Sequence, residues 1–158
     1  MSATAERDGV TEQDHLDAEA NFVKFSYKKP EGFDRKKVSV RLGQTDIVRA
    51  QVQVIKEGGE NNLHYHTKVD GMFTVLSGRI RFYGPGDEVI AECGPMEGII
   101  VPRNARYWFD NVGEGDAEVL LVQGFHEAGA PMSGRTNSEP PKLADAGTMT
   151  GGYSAVVK

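Results

Sequence analysis

The chain has 158 residues, 39% hydrophobic and 26% charged, a length and balance typical of one folded domain with a sizeable core. No apolar stretch is long enough to cross a bilayer, the start lacks a signal-peptide pattern, and no basic patch with interleaved aromatics accompanies the net charge of −5. We therefore expect a cytoplasmic protein that binds neither membrane nor nucleic acid, and its single cysteine excludes an internal disulfide.

The first 20 residues form a distinct, acidic segment. They carry six acidic side chains against one arginine, whereas acids and bases are equal in number in the rest of the chain. Their polarity and lack of sustained hydrophobic periodicity predict a flexible leader at 1–20, with a short helical turn around 12–20.

Residues 21–126 are a succession of short β-like runs separated by turn residues. The runs lie at 21–27, 38–42, 47–55, 72–76, 79–83, 88–92, 98–101, 105–110 and 117–125. This spacing is typical of a sandwich or barrel rather than of βαβ units. Because closure removes exposed sheet edges, we predict an all-β fold, a single jelly-roll barrel.

Alternation and turn residues support this prediction. Between Val48 and Val54 the apolar residues occupy one face of a strand, and the polar residues Arg49, Gln51 and Gln53 occupy the other. The pair 77–78, Ser-Gly between two apolar runs, predicts a tight hairpin.

The composition shifts after residue 126 to Gly, Ala, Pro, Ser and Thr. This shift predicts an irregular C-terminal tail at 127–158. Its last apolar run, 153–157, has a pattern that can pair with an edge strand.

The most informative pattern is Gly58-x5-His64-x-His66, which lies just before the hydrophobic run 72–76. Residues two apart on a strand project from the same face, so His64 and His66 can aim both imidazoles at one point. Burying two histidines in a barrel is costly unless they bind a ligand or form hydrogen bonds, which favours a functional site.

The histidine pair belongs to a longer pattern of a glycine, five residues, His-x-His, three or four residues, a glutamate, six residues and a glycine. Gly58, His64, His66 and Gly78 fit this pattern. The position of the glutamate is occupied by Gly71.

A second pattern opens with a glycine and ends in Pro-x-Gly, two residues, His, three residues, Asn. Pro102 and Asn111 fit it, whereas Met96, Asn104 and Tyr107 stand at the positions of the first glycine, the second glycine and the histidine. With these two patterns, residues 37–125 resemble the cupin superfamily.

The resemblance implies a double-stranded β-helix barrel over residues 21–126. It also implies a metal site of three histidines and one glutamate, of which this chain keeps His64 and His66. We therefore expect these two residues to bind one divalent metal, which can be iron, manganese, nickel or zinc. No residues that would bind another cofactor are identified.

The remaining ligands are left open. Tyr107 stands in the place of the third histidine and can either ligate as a phenolate or fill the barrel as an aromatic side chain. Asp70 is one residue from the glutamate position and therefore on the opposite face of a regular strand. His126 ends the last predicted strand and can turn inward, and water can complete the coordination sphere.

Three functions are compatible with these residues, and each involves a small-molecule ligand or substrate. The first is a metal-dependent dioxygenase, lyase or isomerase. The second is a metal-free binding or sensing protein. The third is a metal-free epimerase or ketoisomerase in which His64 and Tyr107 act as catalytic base and acid. The resemblance also implies a homodimer.

Overall fold

The computed structural model describes residues 8–59, 62–128, 134–139 and 153–157. These ranges contain one α-helix, α1 (Glu12–Glu19), a 3₁₀ turn at Pro85–Asp87, and thirteen strands. The strands are β1 (Lys24–Phe25), β2 (Lys37–Gln44), β3 (Val48–Ile55), β4 (His64–His66), β5 (Val69–Ser77), β6 (Ile80–Tyr83), β7 (Val89–Cys93), β8 (Gly98–Val101), β9 (Trp108–Asn111), β10 (Ala117–Phe125), β11 (Arg135–Asn137), β12 (Tyr153–Ser154) and β13 (Val156–Val157).

The strands form two main sheets that enclose a barrel. The larger sheet has the order β12-β2-β3-β10-β5-β8, and its neighbours are antiparallel except for β12 with β2. The smaller sheet has the order β7-β6-β9, while β4 pairs with β11 and β1 pairs with β13. The prediction of an all-β jelly-roll barrel is confirmed.

The turn at Gly78 joins the two sheets and is not a hairpin. β5 belongs to the larger sheet and β6 to the smaller one, so the predicted hairpin is wrong. Gly78 has φ +86°, and a Cβ there would lie 2.9 Å from Ala117 Cα. A glycine with positive φ is needed both in a hairpin and at a corner between two sheets, so the Ser-Gly pair alone did not distinguish them. The close approach of Gly78 to Ala117 arises because the chain passes here from one sheet to the other.

The inner faces of the two sheets enclose the main hydrophobic core. Phe73, Phe82 and Phe109 are buried there, and their ring centroids lie 5.4–5.6 Å apart. The ring centroids of Phe73 and Tyr107 lie 5.7 Å apart, so this core extends to Tyr107.

The outer face of β2 and β3 is apolar too, and described residues before β2 and after β11 cover it. Phe33 and Ala155 pack there on the buried side chains of Val38, Val40, Leu42, Val52 and Val54. Tyr27 donates a hydrogen bond of 2.7 Å to Glu118 on β10, and Lys29 lies 3.0 Å from the carboxylate of Asp116. The apolar side of the alternating β3 sequence therefore faces out of the barrel.

The polar side of β3 faces into the barrel. Gln53 is paired with Val119 and Ser39, and Gln51 is paired with Leu121. Val119 and Leu121 belong to the main core, so the glutamines opposite them face inward as well. Ser39 Oγ donates to Gln51 Oε1 at 2.6 Å. One inner wall of the barrel is therefore polar, and the wall that β5 and β10 contribute is mostly apolar.

The leader contains the predicted helical turn. Thr11 and Asp14 form a capping box at the start of α1, and the helix has no buried residue. Nowhere in the described ranges does a helix combine the length and the hydropathy that a membrane span requires.

Candidate functional site

Strand β4 brings His64 and His66 together. His64 is paired with Asn137 of β11 and His66 with Arg135, and the two rings lie on the same side of the strand, next to each other. The ring centroids lie 5.2 Å apart with an interplanar angle of 85°. The motif therefore has the extended conformation that we expected for His-x-His. With only three residues, β4 was too short for the sequence pattern to identify it as a separate strand.

Tyr107 completes a cluster of three rings. It forms a reciprocal backbone pair with His64, whose N–H lies 3.1 Å from the Tyr107 carbonyl and whose carbonyl lies 3.0 Å from the Tyr107 N–H. The Tyr107 ring lies 4.4 Å from that of His64 and 6.4 Å from that of His66. The three site residues that we predicted from the sequence thus lie together.

The ring of His64 has a fixed protonation pattern. Its Nδ1 lies 2.7 Å from the backbone carbonyl of Asn62, and a carbonyl can only accept, so Nδ1 carries the proton. The lone pair is therefore on Nε2. Burial, followed by the charge of Arg135, lowers the pKa of His64 to about 3, so the ring is neutral near pH 7.

Tyr107 also keeps its neutral form. The side chain is 5% exposed, and burial raises the pKa of its phenol, although the charge of Arg135 opposes this shift. The phenol is consequently a hydrogen-bond donor at neutral pH and not a phenolate.

Arg135 lies beside the rings and was not predicted as a site residue. Its Nη2 donates to Asn62 Oδ1 at 2.9 Å. The residue as a whole is exposed, yet its guanidinium end is desolvated there, which lowers its pKa. The site therefore has a fixed positive charge next to His64 and Tyr107. The segment that we predicted to be irregular supplies this charge through β11.

A small cavity of about 10 Å³ opens beside the rings. Its walls are formed by His66, Val69, Gly71, Val101, Pro102, Tyr107, Leu121 and Gln123. Gln123 is 4% exposed and its Oε1 accepts from Arg49 Nε at 3.1 Å and Nη2 at 2.8 Å. The inward orientation of Gln123 follows from its parity with Val119 and Leu121 on β10, whereas its contact with Arg49 was not predictable.

Asp70 and His126, the two other candidate ligands, lie on the outside. Asp70 is exposed and accepts from the backbone N–H of Arg103 at 2.7 Å. His126 is exposed, its backbone N–H donates to the Lys68 carbonyl at 2.7 Å, and its ring contacts the Arg103 guanidinium. The side chain of Asp70 points away from the cavity because it is one residue out of phase with Gly71.

The spacing of the two histidine rings is that of two imidazoles on one metal ion. Two imidazoles that bind one metal at about 2.1 Å with a near-tetrahedral angle have centroids about 5 Å apart, close to the 5.2 Å found here. A carbonyl bound to the other ring nitrogen, as Asn62 provides for His64, is the usual support of a metal-binding histidine.

The charge around the pair is less favourable to a metal. In the part of the chain that the structure describes, no group of three or more His, Cys, Asp or Glu side chains is arranged to hold one. The charges of Arg135 and Lys37 both act against positive charge on His64. The described residues therefore offer a metal two imidazole donors, with its other positions open.

The comparisons with known proteins agree with this architecture. The sequence profile described as a cupin domain matches residues 51–123. A comparison with the curated proteins found no match.

Several solved structures share the fold. The chain is 17% identical to an uncharacterized conserved protein with a double-stranded β-helix domain from Klebsiella pneumoniae, with a TM-score of 0.57 over 72% of this chain and 90% of that one. It is 20% identical to the polyketide cyclase RemF from Streptomyces resistomycificus, with a TM-score of 0.56 over 71% and 76%. It is 15% identical to an oxalate oxidase in complex with glycolate, with a TM-score of 0.55 over 75% and 63%. Identities this low show a shared fold.

Proposed function

Because residues 51–123 form a cupin domain and the chain belongs to the cupin superfamily, we propose that its barrel is a small-molecule site in which His64 and His66 bind one divalent metal. The observation that carries this proposal is the proximity of the two rings, whose centroids lie 5.2 Å apart, with the Nε2 lone pair of His64 left free by the bond to Asn62. Polyketide cyclase and oxalate oxidase among the structural neighbours support an enzymatic role without selecting a reaction.

The chain's own residues define what happens around such a metal. Asn62 holds the tautomer of His64, and Tyr107 presents a protonated hydroxyl beside both rings. Arg135 adds a positive charge that favours an anionic or polarised oxygen in the ligand. A divalent metal bound here would supply Lewis acidity toward a ligand oxygen.

Metal content tests the proposal. Elemental analysis of protein purified without an affinity tag should find about one metal per chain, bound through two rings that face one point. The double variant His64→Ala/His66→Ala should lose it. His126→Ala is the matched control, because this histidine is exposed and away from the cavity. Absence of bound metal after incubation with iron, manganese, nickel and zinc would overturn the proposal.

A second candidate is metal-free acid–base catalysis, favoured by one specific observation. A neutral His64 with its lone pair on Nε2 and a protonated Tyr107 lie 4.4 Å apart between ring centroids, so a proton acceptor and a proton donor are adjacent, although the pKa of about 3 makes His64 a weak base. Solvent deuterium exchange into pyruvate or dihydroxyacetone that resists a chelator and is lost in Tyr107→Phe would support it. Exchange that persists in this variant would exclude the tyrosine as the acid.

A further inference from the structure

We propose that the ligand of this site is a small anion whose carboxylate lies beside Gly71, accepts a hydrogen bond from the Gln123 amide and is balanced by the charge of Arg49. The inference deepens the proposed function and rests on it in taking the cavity beside His66 and Tyr107 as the ligand site. Three features carry the argument, namely the space at Gly71, the orientation of Gln123 and the charge of the inner wall.

The backbone at Gly71 does not require a glycine. Its φ is outside the positive range that favours glycine, and a Cβ at this position would lie 3.5 Å from Leu121 Cδ1 and 4.0 Å from Phe73 Cε2. Both are ordinary contacts. Because Gly71 is part of the cavity wall, a missing side chain there leaves space for a ligand atom.

Gln123 directly faces this space. It is paired with Gly71 on one side and with Arg49 on the other. Both hydrogen bonds from Arg49 go to its Oε1, so the amide Nε2 is the end that remains for the cavity. An amide N–H₂ is a donor, and an anionic oxygen is the acceptor that suits it best.

The inner wall next to Gln123 carries a positive charge, that of Arg49. Arg49 stacks over the Phe125 ring at 5.3 Å, which fixes its guanidinium beside Gln123. Burial and the neighbouring Arg41 both lower the pKa of Arg49. Among the described residues of β2, β3, β5, β8 and β10, no aspartate or glutamate shares the inward face with Gly71. A carboxylate from outside would supply the missing negative charge.

The size of the cavity limits the ligand. About 10 Å³ holds roughly one water-sized group, so the cavity accommodates the oxygen end of a small carboxylate and not a sugar ring. A carboxylate placed there lies next to His66 and Tyr107, and it would also bring a negative charge to a metal bound by the two histidines.

Binding of acetate tests the inference. Acetate, added at constant ionic strength to chelator-treated protein, should raise the melting temperature, and the neutral acetamide should not. Arg49→Gln should weaken acetate binding at least tenfold. Arg103→Gln, an exposed arginine on the outer surface, is the control and should leave it within twofold. Equal effects of acetate and acetamide, or of the two arginine variants, would overturn the inference.

A substitution at Gly71 tests the same space from inside the protein. Gly71→Glu should abolish acetate binding and tighten zinc binding at least tenfold, because its own carboxylate occupies the space. Gly71→Gln has the same shape without the charge and should fill the space without tightening zinc binding. Gly71→Ala checks that the backbone tolerates a side chain. A glutamate variant that folds and still binds acetate as the wild type does would contradict the inference.

The two proposals fail separately. A protein that binds acetate through Arg49 but retains no metal overturns the proposed metal site and leaves the anion site standing. A protein that retains one metal through His64 and His66, with no response to acetate, overturns the anion site alone.

Discussion

Asn62 connects the histidine pair to the segment after the barrel. Its backbone carbonyl accepts from His64 Nδ1, and its fully buried side chain donates to Asn137 Oδ1 at 3.0 Å and to the Glu139 carbonyl at 2.9 Å. The same side chain accepts from Arg135. Asn62 therefore holds the His64 ring through its backbone carbonyl and the Arg135 guanidinium through its buried side chain.

Replacing this amide should be costly. Asn62→Ala should lower the free energy of unfolding by about 3 kcal/mol, because it removes the three hydrogen bonds that this buried side chain makes with Asn137, Glu139 and Arg135. Urea unfolding followed by Trp108 fluorescence measures the change. Asn21→Ala, at an exposed asparagine, should change the stability by less than about 0.5 kcal/mol, and equal losses for the two variants would contradict this role of Asn62.

At the scale of residues, the sequence predicted what lies close along the chain. His64 and His66 are two positions apart on one strand, and Tyr107 stands at a position defined by motif spacing. Asn62 and Arg135 are 73 residues apart and meet through side chains alone, so no local pattern indicates their contact. The charge beside the site was therefore missed.

At the scale of elements, the corner at Gly78 should be among the least tolerant positions. Gly78→Ala combines a positive φ with a Cβ 2.9 Å from Ala117, so we expect a loss of about 3 kcal/mol or more. Gly115 has φ +72° and nothing within 4 Å of a Cβ, and its alanine variant should lose only about 1 kcal/mol. Thermal unfolding of both variants separates the cost of the contact with Ala117 from the cost of the positive φ, because only Gly78 has both. Similar losses for the two variants would show that the contact at Gly78 contributes little.

The elements also show where prediction from sequence stops. Long alternating runs, such as β10, were predicted with nearly their observed bounds because burial repeats every second residue. β4 and β11 have three residues each, and their polar sequences resemble loops. They are strands because they pair with each other, which is a contact between distant parts of the chain.

Tyr27 should make the stability depend on pH at the alkaline end. Burial and the bond to Glu118 raise the pKa of its phenol, so the folded chain keeps a proton that the unfolded chain releases above about pH 10. Its stabilisation is therefore present below pH 10 and lost as the pH rises further. Tyr27→Phe should cost about 1 kcal/mol at pH 7.

Guanidinium unfolding at pH 7 and pH 11 checks this effect. The difference between wild type and Tyr27→Phe should shrink at the higher pH, since the variant has no phenol to ionise at this position. Other tyrosines titrate equally in both proteins and cancel. A difference that is constant with pH would show that the phenol pKa is not raised.

At the scale of the whole molecule, the described residues 24–33 and 153–157 pack against the barrel. The sequence predicted the barrel at 21–126 but not that one apolar face of its larger sheet lies outside. That face is covered by residues such as Phe33 and Ala155, from opposite ends of the chain. Periodicity identifies two faces of a strand, yet it does not say which face a distant segment covers.

Truncation should show that residues 1–20 contribute little to stability, whereas the residues that cover the outer face of β2 and β3 contribute much. Removing residues 1–20 should leave the melting temperature nearly unchanged, because α1 has no buried residue. Removing residues 1–36 should uncover Val38, Val40 and Val54 and lower the stability by on the order of 5 kcal/mol. Calorimetry of both proteins, with light scattering for aggregation, checks the result, and a stable protein that starts at residue 37 would contradict it.

The pairing of β11 with β4 has a consequence for synthesis on the ribosome. Strand β10 ends at Phe125, and Arg135 follows ten residues later, so a nascent chain contains both imidazoles before it contains their guanidinium neighbour. The positive charge of the site is thus added to the growing chain after every strand that contributes a ring to it.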